Sequence, residues 1–587
     1  MTIIRRYSLP IALLAAFAAA IAAPYLVPID PDSAVFRSGV LGAALIAASV
    51  YPAYRALRRA DGRTLACGAA CALLLSCALG VGSELFVYDG LLRGMGSAVR
   101  RAAVPVLATP LLGALCARAM LVRLPVQRPA RRIPMFVFAL AFLVCWLPVL
   151  LAYFPGMPNY DIVAEYNQQR QHTFYAINPL LYSVIELGLI NFGELLRSAT
   201  FGLLLTSVAR MVSFAFALAY ACDFAQRRGA PRPALLLAAA YFALHPVFSV
   251  MSVSTNKDVP FASALLVLSL LSCEWLRDPQ AFWQSGRRRA MFVLMAVLTA
   301  HMRKNGVFAL ALLLPGLVLA LRGQRARAAL LCGLSAACCA LLQFGLTAAL
   351  SPVPQPAGQL YSLPAQQLVR AYNAGDFTPE DAAELEGWYL FPTGLNIYPH
   401  NADRAKNNLD DERLTAHGDE FLALWARNAR SHLHEYTEAF LMLNMGLWYP
   451  DDLSHSTVYH PVNYDPPGYL ETDLFVTDMP EFETVCLLPR VREIVEKVCT
   501  QNAYQAYPVV SVLFCTATPF WVLVFSVALL IARRRGRLAV CALGVLGIWL
   551  SYLFGPCTLP RYVLPLFCLA PALLLAALTD TPKEAAP

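Results

Sequence analysis

Four short polar stretches interrupt a chain made largely of apolar runs. They are "FPGMPNYDIVAEYNQQRQHTFYAINP" (Phe154–Pro179), "STNKDVP" (Ser254–Pro260), "HMRKNG" (His301–Gly306) and "GPCTLPRYVLP" (Gly555–Pro565). Together they carry the acids Asp161, Glu165 and Asp258 and the cations Arg170, Lys257, Arg303, Lys304 and Arg561. Ionisable groups at membrane depth are costly, and more often serve function than decoration. Lys and Arg near a headgroup region can hold a phosphate by charge-assisted hydrogen bonds. A carboxylate beside that phosphate can take the proton of an attacking hydroxyl. Asp161 is the candidate base. Glu165, four residues on, shares a helical face with it and is the alternative. Each stretch also has a plainer reading. Asp161 is a good helix N-cap. Lys257 and Asp258 can form an exposed local pair of little worth, or Lys257 can snorkel. Arg303 and Lys304 can anchor to headgroups. Arg561 stands at a helix start, where the macrodipole disfavours a cation, and that misfit points towards an anion.

The elements that must position these groups are membrane-spanning helices. Of the 587 residues, 58% are hydrophobic and 14% charged, and the mean hydropathy is +0.54. Runs close to twenty apolar residues recur, as a bilayer-crossing helix requires. The pattern predicts an all-α polytopic membrane protein with about fourteen spans. They fall near 8–28, 34–54, 65–85, 102–122, 133–153, 198–222, 233–252 and 259–276, two between 287 and 322, then 327–350, 509–532, 537–553 and 562–578. The first run, with Arg5 and Arg6 before it, reads as a span that is kept rather than a cleaved signal. Basic flanks such as Arg55/Arg58/Arg59, Arg287–Arg289 and Arg533–Arg535 place both termini inside by the charge rule. Arg93, Arg100 and Arg101 then fall outside, against that rule. "NPLLYSVIELGLINFG" is short for a span and carries Glu186, so it is expected as an interfacial helix in the first outer loop, 154–197. On this topology all four polar stretches lie on the outer side. No internal repeat is evident.

Residues 351–508 are too long for a connector. They hold 23 acidic and 9 basic residues, a balance of −14, which leaves +22 on the remainder. An acidic, mainly helical extracytoplasmic domain follows. Its aromatics (Trp388, Tyr389, Trp448, Tyr449, Tyr459, Tyr464, Tyr469) form either its core or a stacking surface for sugars. Asp451–Asp452 reads as a surface turn or as an acceptor or cation site. His432 and His434, two apart, do not share a helical face and suggest no metal site. Most of the sixteen cysteines sit in apolar runs as small hydrophobes. Cys486 and Cys499 lie in the polar loop, where a disulfide is open if the loop is outside. The basic balance needs no nucleic acid to explain it, and no nucleic-acid-binding motif occurs.

"FPG…YD", "NKDVPFA", "RKNG" and the late "PRY…P" resemble the polytopic bacterial glycosyltransferases of the GT-C superfamily, in particular an uncharacterised branch. The resemblance covers roughly 133–350 and 509–578. It implies an active site facing away from the cytosol, a polyprenyl-phosphate sugar donor, and a catalytic acid from the first outer loop. Carried over, Asp161 is the base, with Lys257, Arg303, Lys304 and Arg561 on the donor phosphate. Tyr160, Asn178, Asn256, Asp258, Asn305 and Tyr562 are supporting residues. Many relatives have His–Pro where this chain has Asn178–Pro179; His172 is the nearest substitute.

The expected organisation is four units. N-terminal helices (1–132) precede a catalytic membrane module (133–350), the outer domain (351–508), and C-terminal helices with a cytoplasmic tail (509–587). The expected function is transfer of a sugar from a lipid-phosphate donor to a glycan, lipid or protein acceptor at the outer face of the plasma membrane. No cofactor is indicated; a divalent metal is left open. The competing readings are a lipid-linked oligosaccharide polymerase or ligase, and a transporter or flippase. A transporter usually shows repeat symmetry and midplane charges, whereas the charges here stand at span ends.

Overall fold

The structure is a computed structural model that describes residues 1–26, 39–127, 132–392, 395, 401–450, 482–501 and 503–579. The described residues form helices joined by short irregular segments, with isolated β-bridges only. Among the described residues, seven helices are long and apolar enough to cross a membrane, or eight if the pair Arg232–Leu244 and Pro246–Val253, bent by 45°, is one broken span. The chain is therefore a multi-pass, all-α membrane protein. The expected count was higher because several apolar runs form helices shorter than a full crossing. Gly306–Ala320, Thr518–Ala532, Gly536–Tyr552 and Leu564–Leu578 are of this kind.

After the N-terminal helices Ser8–Ala22 and Gly39–Arg59 comes the long hairpin α1 (Gly62–Tyr88) and α2 (Met95–Met120). Its helices cross where Gly68 faces Gly113; a Cβ at Gly68 would stand 2.5 Å from the Gly113 carbonyl oxygen. Small residues let two spans approach this closely. Next come α3 (Met135–Ala152), α4 (Tyr160–Arg170), α5 (Leu180–Leu196) and α6 (Ala199–Arg227). The short α7 (Pro246–Val253) leads into α8 (Asp258–Arg277). α8 is apolar all round and is the innermost helix: only Pro260 and Arg277 escape full burial. Against it pack α6 and α9 (Gly286–Met302), with α10 (Gly306–Ala320) touching it more lightly; α11 (Arg325–Leu350) packs outside, on α9 and α10.

The polar segment contributes α12 (Ser362–Asn373), α13 (Asp411–Ala429) and α14 (Leu433–Leu443). Their apolar faces close on Leu368, Trp388, Phe421, Leu424 and Tyr436. Trp388, Tyr389 and Tyr449 are buried, so these aromatics pack rather than present a sugar-stacking surface. Tyr459, Tyr464, Tyr469 and Asp451–Asp452 lie outside the described residues. Cys486 carries a free thiol, so no bridge joins it to Cys499. The arginines that broke the charge rule are neutralised locally. Arg101 and Arg100 pair with Glu84 at 2.5 and 3.5 Å, and Arg93 pairs with Glu435 of α14. Arg370 of α12 adds contacts to Glu438 at 3.0 Å and to the Asp89 carbonyl at 2.7 Å. The polar unit is thus fastened to the α1–α2 turn. The chain closes with α15 (Leu543–Tyr552) and α16 (Leu564–Leu578).

Candidate functional site

Two loops form one scaffold. The Met157 N–H donates to the Val253 carbonyl at 3.0 Å, and the Thr255 N–H donates to the Met157 carbonyl at 2.9 Å. The Thr255 hydroxyl accepts from the Asn159 N–H at 2.9 Å. Asn159 in turn caps α4, its side chain accepting from the Ile162 N–H at 3.2 Å. The cap is therefore Asn159, and Asp161, in the first helical turn, is released from that task. Asn256 does the matching work at α8: its Oδ1 accepts from the N–H groups of Asp258 and Val259, both at 3.1 Å. Behind this scaffold Arg210 of α6 is buried, ion-paired with Glu186 of α5, and donates to the Ser254 carbonyl at 2.7 Å.

On this scaffold the predicted charges converge. Lys257 Nζ lies 3.3 Å from Asp161 Oδ2 and donates to Asn178 Oδ1 at 2.6 Å. Arg561 Nη1 is 3.7 Å from the same Asp161 oxygen, and its Nε is 4.0 Å from Asp258 Oδ2. Arg303 forms an ion pair with Asp258. Its guanidinium also lies over the rings of Tyr562 and Tyr552, at 4.4 and 5.1 Å from their centroids, and these rings stack on each other. Three cations thus meet two carboxylates and leave one positive charge in excess. Asp161 and Lys257 keep about a fifth of their side chains exposed, while Asp258 and Arg561 are buried. Burial pushes the Asp161 carboxyl up, but Lys257 and Arg561 outweigh it and hold it below the usual carboxylate range. Burial pulls Lys257 down, and Asp161 offsets part of that.

The other predicted residues separate. Glu165 is 4% exposed, and neither carboxylate oxygen has a hydrogen-bond partner. Burial pushes it to about 7, the Ser183 hydroxyl and Lys257 offsetting only part of the rise. Lys304 points away from the cluster and donates to Gln355 at 2.7 Å; burial brings it down to about 8. Asn305 donates to Ser551 at 3.2 Å and ties the α9–α10 turn to α15. Tyr160 opens α4. His172 is exposed at a turn with φ 57°. Asn178 accepts from Lys257 and so joins the cluster.

Beside the cluster lies a cavity of about 1200 Å³ between α5, α9, α10 and α11. Its walls are apolar, with Leu310, Leu314 and Val318 on α10 facing Gly333 and Ala336 on α11. Asn178, His301, Lys304, Gln343, Thr347 and Gln355 are polar residues of its lining. Asn178 therefore touches both the cavity and the charge cluster. Sequence reasoning did not single out Arg210, although a lone arginine inside an apolar run is a signal of its own. The Asn159–Thr255 brace carried no such signal.

Residues 169–587 match the model of a family of unknown function, DUF6020, and the chain belongs to that family. The match includes Lys257, Arg303, Lys304 and Arg561 and begins after Asp161 and Glu165. No curated protein and no solved structure matches the chain.

Proposed function

We propose that this member of the DUF6020 family is a membrane glycosyltransferase. It would move a sugar from a polyprenyl-phosphate donor to a hydroxyl acceptor, on the extracytoplasmic side of the plasma membrane. In this reading the fold is a GT-C-like array of about fourteen spans, the short apolar helices completing the count. The observation that carries it is the cationic excess at Lys257, Arg303 and Arg561, joined through Asn178 to an apolar cavity. A phosphate on a long apolar chain needs both features in contact: charge-assisted donors for its head and a dry groove for its tail.

The chemistry follows from the pairings. In the resting site Lys257 and Arg561 hold Asp161 ionised and make it a weak base. A donor phosphate competes for the same cations. As they turn to it, Asp161 loses its stabilising partners and gains proton affinity. The acceptor oxygen then bonds to the anomeric carbon while its proton passes to Asp161. The bond from that carbon to the phosphate oxygen breaks, and its electron pair leaves with the polyprenyl phosphate. Arg303, committed to Asp258, shapes the site and adds field rather than a direct contact. Lys304 lines the cavity, where a lipid headgroup passes.

The test is purified protein in lipid nanodiscs with a labelled polyprenyl-phosphate sugar. Release of polyprenyl phosphate that depends on Asp161 and Lys257 is the expected result. Wild-type protein that neither binds nor cleaves such donors, across several sugars, would end this reading.

A further inference from the structure

Glu165 is a buried ionisable group beside Asp161 that this chemistry does not use. It lies one helical turn after Asp161 on the same face of α4. It is 4% exposed, and both carboxylate oxygens lack a hydrogen-bond partner. The groups that face it are Asp161 from its own helix, Ser183 and Glu186 from α5, and Lys257 from the loop before α8. Glu186 is already paired with Arg210. A buried carboxyl without a partner is unfavourable as an ion and is at ease holding a proton. Asp161 is the opposite case, since two cations beside it repel a proton. Two carboxyls one turn apart are thus a poor and a good place for the same proton. Environments that divide two acids in this way assign them different parts.

We propose that Glu165 is a proton-holding residue that acts through Asp161, taking on the proton Asp161 removes from the acceptor hydroxyl. This rests on the transferase reading above. In atoms, the acceptor proton moves to an Asp161 oxygen as the new bond to the anomeric carbon forms. It then moves to an ionised Glu165 oxygen, and Asp161 is a carboxylate again beside Lys257. No oxidant or co-reactant is needed, because the leaving phosphate keeps the bonding pair. The second move runs downhill once the polyprenyl phosphate leaves and Lys257 and Arg561 return to Asp161, which they hold low while burial pushes Glu165 to about 7.

Glu165 must be ionised to receive the proton, so the wild-type transfer rate should climb as pH rises through about 7. Glu165→Gln keeps the shape but cannot take a proton. Its rate should fall by about a hundred-fold, without the inflection near neutrality. Glu165→Asp should restore part of the rate together with the inflection. Infrared spectra of the protein without substrate should show a protonated-carboxyl band that titrates near neutral pH and is absent from Glu165→Gln. Equal thermal unfolding of the variants would separate a lost proton site from a lost fold. A Glu165→Gln protein with the wild-type rate and inflection, or lacking no infrared band, overturns the relay alone. Wild-type protein that transfers nothing, yet shows the band, overturns the transferase reading and the relay built on it.

Discussion

Lys257 and Asp161 are 96 residues apart in the chain, yet their charged atoms stand 3.3 Å apart, with Asn178 completing the lysine's contacts at 2.6 Å. Neither partner is fully buried, so the pair is open to exchange with an incoming anion.

Asp161→Asn should lower sugar transfer by about a hundred-fold or more while leaving the fold intact. The fold survives because Asn159, not Asp161, caps α4. Turnover measured beside thermal unfolding decides the matter. A wild-type rate in the Asn variant removes Asp161 as the base.

Lys257→Met should weaken binding of a polyprenyl phosphate by about ten- to hundred-fold, the worth of one charge-assisted contact. Titration of a fluorescent lipid phosphate into nanodiscs measures this. Unchanged affinity would take the lysine off the phosphate.

Arg303→Met should act on stability first. It leaves buried Asp258 with only the more distant Arg561 beside it, which costs up to roughly 3–5 kcal/mol, and a double variant with Asp258→Asn should recover most of the loss. If Arg303→Met unfolds like wild type but loses donor affinity, Arg303 belongs on the phosphate after all.

Gly333 of α11 faces open space, with nothing within 4 Å of a Cβ placed there, and it lines the large cavity. Gly333→Trp should reduce affinity for a long-chain polyprenyl phosphate and spare a five-carbon analogue. Equal loss for both lengths would separate the cavity from the lipid tail.

Partial burial, with the Lys257 charge adding to it, brings Lys304 down to about 8. Its cationic form is present below that value and is lost above it. Donor affinity should therefore fall as pH rises past about 8, and Lys304→Arg, which stays charged, should abolish the fall. Persistence of the same pH dependence in the arginine variant would exclude Lys304 as its origin.

Much of the site was legible because charge at the end of an apolar run is conspicuous. Asp161, Lys257, Asp258, Arg303 and Arg561 do converge. Their division of labour was not legible. Arg303 and Lys304 are neighbours in the chain, yet one turns inward to Asp258 and the other outward to Gln355. Adjacent residues at a helix end point in very different directions, and composition does not say which points inward. The plainer reading of Asp161 as a helix cap gives way for a related reason: Asn and Asp serve equally well, and Asn159, held by Thr255, takes the position at α4. The number of crossings was the least legible feature. Hydropathy counts apolar residues and is blind to where α8 and its short neighbours stop.

The bridge between Met157 and Ser254 makes the acid and the lysine two teeth of a single jaw. They cannot part to admit a substrate without breaking backbone hydrogen bonds. The opposing jaw is the turn from Gly555 to Val563, which brings Arg561 and Tyr562 from the far end of the chain and meets the first jaw through the Arg561 side chain. Among the described residues no backbone hydrogen bond joins the two jaws, so in the proposed transferase an opening on that side leaves the Met157–Ser254 bridge intact.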